Sequence, residues 1–330
     1  MCFGFDGDAA LQQSLDRQGA SRRGLLRTAA AGAAGAATLG VMSGGAAAAA
    51  PGKDKGKPGS KPGKGRSKQV PENKISIQLY TLRDAMRDPA GVENVLTRLS
   101  QYAYPRVERA GLYHYTARQM KKRLDDLGIW ASSSHDGISA STAAMNTKLD
   151  DAGTFGQKYI NVPYLNSDKL SDWQTWAEQM NTEAYAAKRR GIRYGYHNHA
   201  HEFTIDLGRG RTPWDVLMKE LDPRLVHLEV DLYWAYTAGV NLGEADPLKF
   251  ANDVVRKAPL EVRQYHVKDR HAESSSTPGD MADLGTGVID FPAIFRKHEA
   301  EEYIVENDTP DVSPLTSAAV GKLYLEHTDY

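Results

Sequence analysis

The sequence predicts an α/β fold, a single (β/α)8 TIM barrel over residues 71–330 of the 330-residue chain, on three observations. Short β-branched or aromatic runs alternate with amphipathic stretches, the signal for strand–helix–strand units and a parallel sheet. Eight such runs in about 250 residues match the size and order of a barrel. The first run leads into Tyr80-Thr81-Leu82-Arg83-Asp84. A doubly wound open sheet usually has fewer strands in this length and offers a Gly-rich turn at that point.

In order, the strands are expected at Ile75–Leu79, Arg106–Ala110, Ile129–Ser133, Tyr159–Pro163, Arg193–Asn198, Val226–Asp231, Val262–Val267 and Glu302–Asn307. Three of the intervening helices have readable ends. Thr116 is expected to cap Ala117–Leu127, stopped by Gly128, and Ser171 to cap Asp172–Arg190, stopped by Gly191. Asp246-Pro247 opens Leu248–Lys257, with Pro259 after it.

The front end reads as an address. Ser21-Arg22-Arg23-Gly24-Leu25-Leu26-Arg27 precedes an Ala/Gly tract from Thr28 to Ala50. A charged segment, a weakly apolar one and an Ala-rich cleavage region are what a secretory signal requires, and the arginine pair points to the twin-arginine route. Residues 1–50 are therefore expected to direct export to the cell envelope or the outside, with cleavage near Ala50. A membrane-spanning or packed helix is disfavoured by Gly32, Gly35, Gly40, Gly44 and Gly45. After cleavage no segment is left to insert stably in a membrane. Residues 51–70, rich in Pro, Gly, Lys and Ser, have no apolar periodicity and are expected to be a flexible spacer.

Charge separates these parts. Against a chain total of −1, residues 1–50 carry a net +1 and residues 51–70 a net +6, which leaves about −8 on the body. An acidic body argues against nucleic acid, since neutralising phosphates needs a basic face. The single cysteine, Cys2, excludes an internal disulfide framework and a thiolate zinc site.

In a barrel, catalytic groups sit at the C-terminal ends of strands. Strand two ends at Glu108, strand three at His135-Asp136, and strand five runs into His197-Asn198-His199-Ala200-His201-Glu202. Strand six ends in Asp231, strand seven in His266-Val267-Lys268-Asp269-Arg270, and strand eight in Glu306-Asn307-Asp308. Five of the ten histidines crowd onto three strand ends. Asp231, His266 and Glu306, with one more ligand from strand five, form a mixed carboxylate and imidazole set. Such oxygen-rich sets suit Mn²⁺ first, with Mg²⁺, Co²⁺ or Zn²⁺ as alternatives. Taken singly, Asp231 reads equally as a helix cap, His266 as a core histidine and Glu306 as a partner of Arg270.

The segments Tyr194–Phe203, Leu228–Trp234 with Ala238-Gly239, Tyr265–Asp269, Asp283–Phe291 and Tyr303–Asn307 resemble the xylose isomerase-like sugar phosphate isomerase/epimerase family. The resemblance covers residues 74–330. It implies one barrel, a divalent metal on a Glu/Asp/His/Glu set, and isomerisation or epimerisation of a keto sugar; some relatives act on 3-keto-glycosides. Asp231, His266 and Glu306 carry over as ligands. Strand five departs, with His197 in the glutamate's place, and Glu202 is the expected fourth ligand with His197 as its competitor. A DNA-cleaving relative needs more His and Glu ligands, and the acidic body speaks against that reading.

Two substrate oxygens on the metal would acidify the C–H beside a carbonyl. His199 is the expected base, with Lys268 or Glu306 as second proton carriers. Lys268 reads equally as an ion-pair partner of Asp269 or Glu306. Glu108, His135, His197, Trp234 and Arg270 are expected around the substrate. Gly285-Thr286-Gly287 reads as a tight turn ahead of a cap at Asp290 rather than a phosphate cradle. An exported enzyme would meet a free keto sugar or a 3-keto-glycoside, so the small-molecule partner is expected to be an unphosphorylated sugar. A lyase or hydrolase on 3-keto-glycosides and a non-catalytic sugar-binding barrel are the alternatives, and an oligomer is compatible with all of them.

Overall fold

The computed structural model describes residues 67–330. Eight parallel strands form a nearly closed barrel: β1 (Ile75–Gln78), β2 (Arg106–Arg109), β3 (Trp130–Ser134), β4 (Tyr159–Val162), β5 (Arg193–His197), β6 (Val226–Asp231), β7 (Val262–Val267) and β8 (Glu302–Val305). Their order is β3-β2-β1-β8-β7-β6-β5-β4. The seam between β3 and β4 is bridged at His135 and Asn161 and by backbone bonds from Lys158 N to Ser132 O (2.9 Å) and Asp136 N to Asn161 O (3.0 Å). All eight strands lie where the sequence places them, within two residues at either end.

The strands are buried on both faces, and alternation decides which side chain meets which layer. Along β6, Val226, Leu228 and Val230 alternate with His227, Glu229 and Asp231, and all six are buried. The apolar set packs toward the helices. The polar set faces the interior, where His227 meets Gln264 and Glu229 meets His135. The barrel is thus filled by a polar belt rather than by branched aliphatics: Gln78 donates to Glu108 (2.8 Å), and Asn161 donates to Glu229 (2.8 Å) and Gln264 (3.0 Å).

The helices between the strands end on legible signals. Helix α1 (Pro89–Gln101) is capped by Asp88, and α2 (Ala117–Asp126) by a Thr116–Gln119 capping box, with Gly128 following in the left-handed region. Helix α3 (Thr142–Phe155) is capped by Ser141. Helix α4 (Leu170–Lys188) departs from expectation: it starts earlier, and Ser171 lies inside its first turn. The Ser171 hydroxyl is directed to Asp172, and Ser167 ahead of the helix takes up the Lys169 N–H. A short helix α5 (His201–Thr204) and α6 (Pro213–Glu220) follow β5; α7 (Leu232–Asn241) and α8 (Pro247–Lys257) follow β6. Helix α9 (Phe291–Phe295) is capped by Asp290 as expected, and α10 (Pro314–His327) completes the ring.

The expected signal, residues 1–50, lies outside the described residues, as does residues 51–66 of the expected spacer. Its last four residues belong to the body. Lys68 and Tyr330 exchange backbone hydrogen bonds of 2.9 and 2.8 Å, and Val70 is buried in the core. Among the described residues no helix is long and apolar enough to cross a membrane.

Candidate metal centre

The C-terminal ends of the strands surround a cavity of about 410 Å³ lined by Tyr80, Tyr164, His135, His197, His199, Lys268, Glu306 and Asp308, among others. Below it, ligand atoms of His197, Asp231, His266 and Glu306 all lie within 4.8 Å of one another, and all four residues are buried. Alternation on β6 and β7 turns Asp231 and His266 inward, and His197 is the last residue of β5. Asp231 also caps α7, accepting from Trp234 N through Oδ1 (2.9 Å), so its cap role and its inward Oδ2 coexist. A second, deeper group of His135, His197, Glu229 and His266 shares two of these residues.

The donors suit a divalent cation. Asp231 Oδ2 and His197 Nδ1 are buried and make no hydrogen bond, their nearest charged neighbours being Lys268 Nζ at 3.1 Å and Glu229 Oε2 at 3.3 Å, so a cation would supply each with a partner. Burial, then repulsion from His266 and His135, holds His197 well below the usual imidazole value, so it is neutral and able to ligate. Burial pushes Asp231 up to about 6 despite the Lys268 ammonium. For His266, burial alone would depress the imidazole, but Glu229, Glu306 and Glu108 outweigh it and raise it well above its ordinary range.

Lys268 is buried and touches three carboxylates: Glu306 at 2.6 Å, Asp231 at 3.1 Å and Asp308 at 3.2 Å. It pairs with Glu306, one of the two partners the sequence allowed, and not with Asp269. Asp269 is held elsewhere. Its carboxylate accepts the N–H groups of Gly285 (3.0 Å), Gly287 (3.0 Å), Ile289 (3.2 Å) and Arg270 (2.8 Å), so the Gly-x-Gly turn wraps a side chain of this chain.

The other expected residues divide clearly. Glu108 and His135 are at the centre: His135 Nε2 is 2.8 Å from Glu229 Oε2 and 3.2 Å from Glu108 Oε2. His199 lines the cavity, with its ring 5.2 Å from both Tyr164 and Trp234. Trp234 is half-buried behind it. Two expectations are not met in place. Glu202 stands outside both groups, because its carboxylate accepts from Tyr196 Oη (2.6 Å) and His199 N (2.8 Å) on the outer side of β5. Arg270 is buried away from the cavity, bonded to Thr237 and paired with Glu273 at 2.6 Å. Sequence reasoning missed Glu229, whose signal was the alternation His227-x-Glu229-x-Asp231 within one strand, and the cavity-wall residues Tyr80 and Tyr164, which carried no signal.

A family model described as Xylose isomerase-like TIM barrel matches residues 91–318. No curated protein matches the chain. Among solved structures, a sugar phosphate isomerase/epimerase from Parabacteroides distasonis ATCC 8503 is 23% identical, with a TM-score of 0.60 over 78% of this chain and 95% of that one. The IolI protein with a bound zinc atom is 11% identical, with a TM-score of 0.56 over 76% and 95%. A probable 3-DHS dehydratase, AsbF, from Bacillus anthracis is 12% identical, with a TM-score of 0.53 over 76% and 98%. At these identities the structures share the fold. With eight parallel strands, inward-turned ligand atoms at their C-terminal ends and a family match over most of the body, the chain belongs to the Xylose isomerase-like TIM barrel family.

Proposed function

We propose that the protein is a divalent-metal-dependent isomerase or epimerase of an unphosphorylated keto sugar. The observation that carries the reading is the convergence of His197, Asp231, His266 and Glu306 beneath the cavity. A divalent ion held by them, Mn²⁺ first and Mg²⁺, Co²⁺ or Zn²⁺ as alternatives, would act as a Lewis acid toward a substrate carbonyl. His197 takes the strand-five place in this reading, and Glu202 holds its neighbours Tyr196 and His199 from the helix side.

The chain's own groups supply the proton chemistry. His199 lines the cavity, and burial, then the Lys268 and His201 charges, holds its imidazole down to about 3. It is therefore neutral at physiological pH, its buried Nδ1 has no partner, and it becomes an effective base only as negative charge develops on the bound substrate and raises its affinity for a proton. Lys268 stays protonated, since Asp231, Glu306 and Asp308 outweigh its burial, and it presents an ammonium to a substrate oxygen. Glu306, bonded to both His266 and Lys268, couples the ligand to that ammonium. Among the described residues Lys268 is the sole lysine or arginine lining the cavity, which suits a neutral sugar better than a sugar phosphate or a DNA backbone.

A second reading, elimination or hydrolysis of a 3-keto-glycoside, is favoured by Tyr80 and Tyr164, which are 46% and 53% exposed on the cavity wall and could hold a second ring. The same proton abstraction next to the 3-keto group would then expel the substituent at C1. We read residues 1–50 as a twin-arginine export signal, in keeping with a free sugar or glycoside met outside the cell.

The test is deuterium exchange from D2O into keto sugars and 3-keto-glycosides by Mn²⁺-loaded protein. Exchange with the aglycone retained is expected, falling roughly 10²- to 10⁴-fold in His199→Ala at unchanged metal content. Aglycone release selects the second reading. Ligand binding with no exchange, unaffected by His199→Ala, would leave only a binding barrel.

A further inference from the structure

A second cavity opens beside the barrel mouth, in the segments that follow β7 and β8. Its volume is about 540 Å³, against about 410 Å³ at the mouth, and His271, Ser276, Thr277, Asp280, Thr309 and Asp311 are among its lining residues. Both volumes are those of small-molecule sites. One residue separates the two cavities: Asp308 lines the mouth, and Thr309, next in the chain, lines the second cavity. Met281 completes the partition, lining the second cavity while its sulfur accepts the Asp308 N–H (3.2 Å). A ligand at the mouth therefore has only a thin wall to cross.

Bonds within the walls hold this cavity open. Asp269–Arg270 pairs antiparallel with Met281–Ala282, which ties together the ends of the segment 271–280. The buried His271 sets Nε2 2.8 Å from Asp311 Oδ1, and Asp311 Oδ2 accepts the Asp283 N–H (3.2 Å). That pair joins the segment after β7 to the segment after β8. Arg270, which lies away from the mouth, braces the same segment by donating to His271 O (3.3 Å) and pairing with Glu273 (2.6 Å). From α7, the Tyr233 hydroxyl donates to Gly279 O (2.8 Å). Walls formed in advance spare a ligand the ordering cost of a loop that must close on it.

The lining is selective. Ser276, Thr277, Asp280 and Thr309 are exposed, and their side chains make no hydrogen bond to the described residues, so three hydroxyls and a carboxylate are left to a ligand. Among the described residues no lysine or arginine lines the cavity, whereas Asp280 and Asp311 do. That balance repels phosphates and carboxylates. It suits a neutral ligand rich in hydroxyls, each able to donate to one of these oxygens and accept from another. Met281 and Pro310 add an apolar patch for the C–H face of a sugar ring.

We propose that this cavity is a second carbohydrate subsite, which takes the neutral hydroxylated unit attached through C1 to the sugar held at the barrel mouth. The substrate class is then a glycoside whose aglycone is itself a sugar, rather than a free monosaccharide. The inference rests on the functional reading above for the sugar at the mouth and gives its neighbour a place.

The test is calorimetric titration of the full, Mn²⁺-loaded chain with methyl α-maltoside and methyl β-cellobioside, beside methyl α- and β-glucoside. None of the four has a carbonyl group, so binding is read without turnover. At least one disaccharide should bind about tenfold or more tighter than the methyl glucoside of the same linkage. Thr277→Trp, which fills the cavity from an exposed position, should bring that ratio to about one. If Thr277→Trp does not fold, Asp280→Ala is read by the same ratio, expected to fall at least about threefold. A ratio near one for both pairs in the wild type overturns the subsite, as does a ratio that survives in the folded variant. Deuterium exchange from keto sugars separates this proposal from the functional reading. Exchange with a ratio near one removes the subsite alone, and a variant-sensitive ratio without exchange removes the isomerase reading alone.

Discussion

Tyr196 donates its hydroxyl to Glu202 across 2.6 Å on the helix side of β5, while His197, the next residue, turns into the barrel. Adjacent strand residues face opposite ways, so one position decides which is available to a metal. Glu202→Gln should therefore leave Mn²⁺ affinity within about twofold while costing roughly 1–3 kcal/mol of stability, because its buried partners lose a carboxylate. His197→Ala should weaken Mn²⁺ at least about tenfold. Metal titration beside thermal unfolding checks both, and equal loss of affinity in the two variants would contradict the assignment.

Glu302 closes the opposite, N-terminal end of the barrel. It is fully buried, accepts from Ser132 at 2.5 Å, and burial pushes its carboxyl up to about 7. The folded state holds this proton more tightly than the unfolded chain. Its contribution is complete below an ordinary glutamate value and is lost as pH rises through about 7. The loss is on the order of 3 kcal/mol. Urea unfolding at pH 5 and pH 8 should show a steeper loss in the wild type than in Glu302→Gln. Parallel curves would refute it.

Gly287 leaves space that Asp269 uses. A Cβ there would strike the Asp269 carboxylate and stand 2.5 Å from Arg270 O. Gly287→Ala is expected to cost roughly 1–3 kcal/mol, read as a lowered unfolding midpoint. Inorganic phosphate should protect neither protein, since the turn's N–H groups already hold an anion.

Tyr80 and Tyr164 stand exposed at the cavity wall, away from the buried ligands. Replacing either with Ala should raise KM for a 3-keto-glycoside roughly fivefold, about 1 kcal/mol of aromatic contact, and barely change it for a free keto sugar. Equal effects on both substrates would show that the tyrosines do not hold a second ring.

The strands were legible because Val, Ile and Tyr runs bounded by turns admit little else, and β6 and β7 have the predicted limits. The helix starts were legible where a side chain does the capping, at Thr116, Asp246 and Asp290. The α4 start was not, because its N-cap position, Lys169, has no capping side chain and Ser171 offered a false one. Asp231, His266 and Glu306 were legible as strand ends. Glu229 was not, since a glutamate inside a strand ordinarily marks a solvent face, and only closure of the barrel buries both faces. Glu202 attracted attention as a carboxylate; no linear spacing reveals that α5 turns it back behind β5.

Lys68 and Tyr330 are zipped together beside Glu299 and the start of β8, on the side of the barrel opposite the cavity. Both ends of the folded body therefore leave from the floor. A tether, a fused partner or a solid support joined at either end would hold the mouth outward, so immobilised protein should keep free access for bulky glycosides.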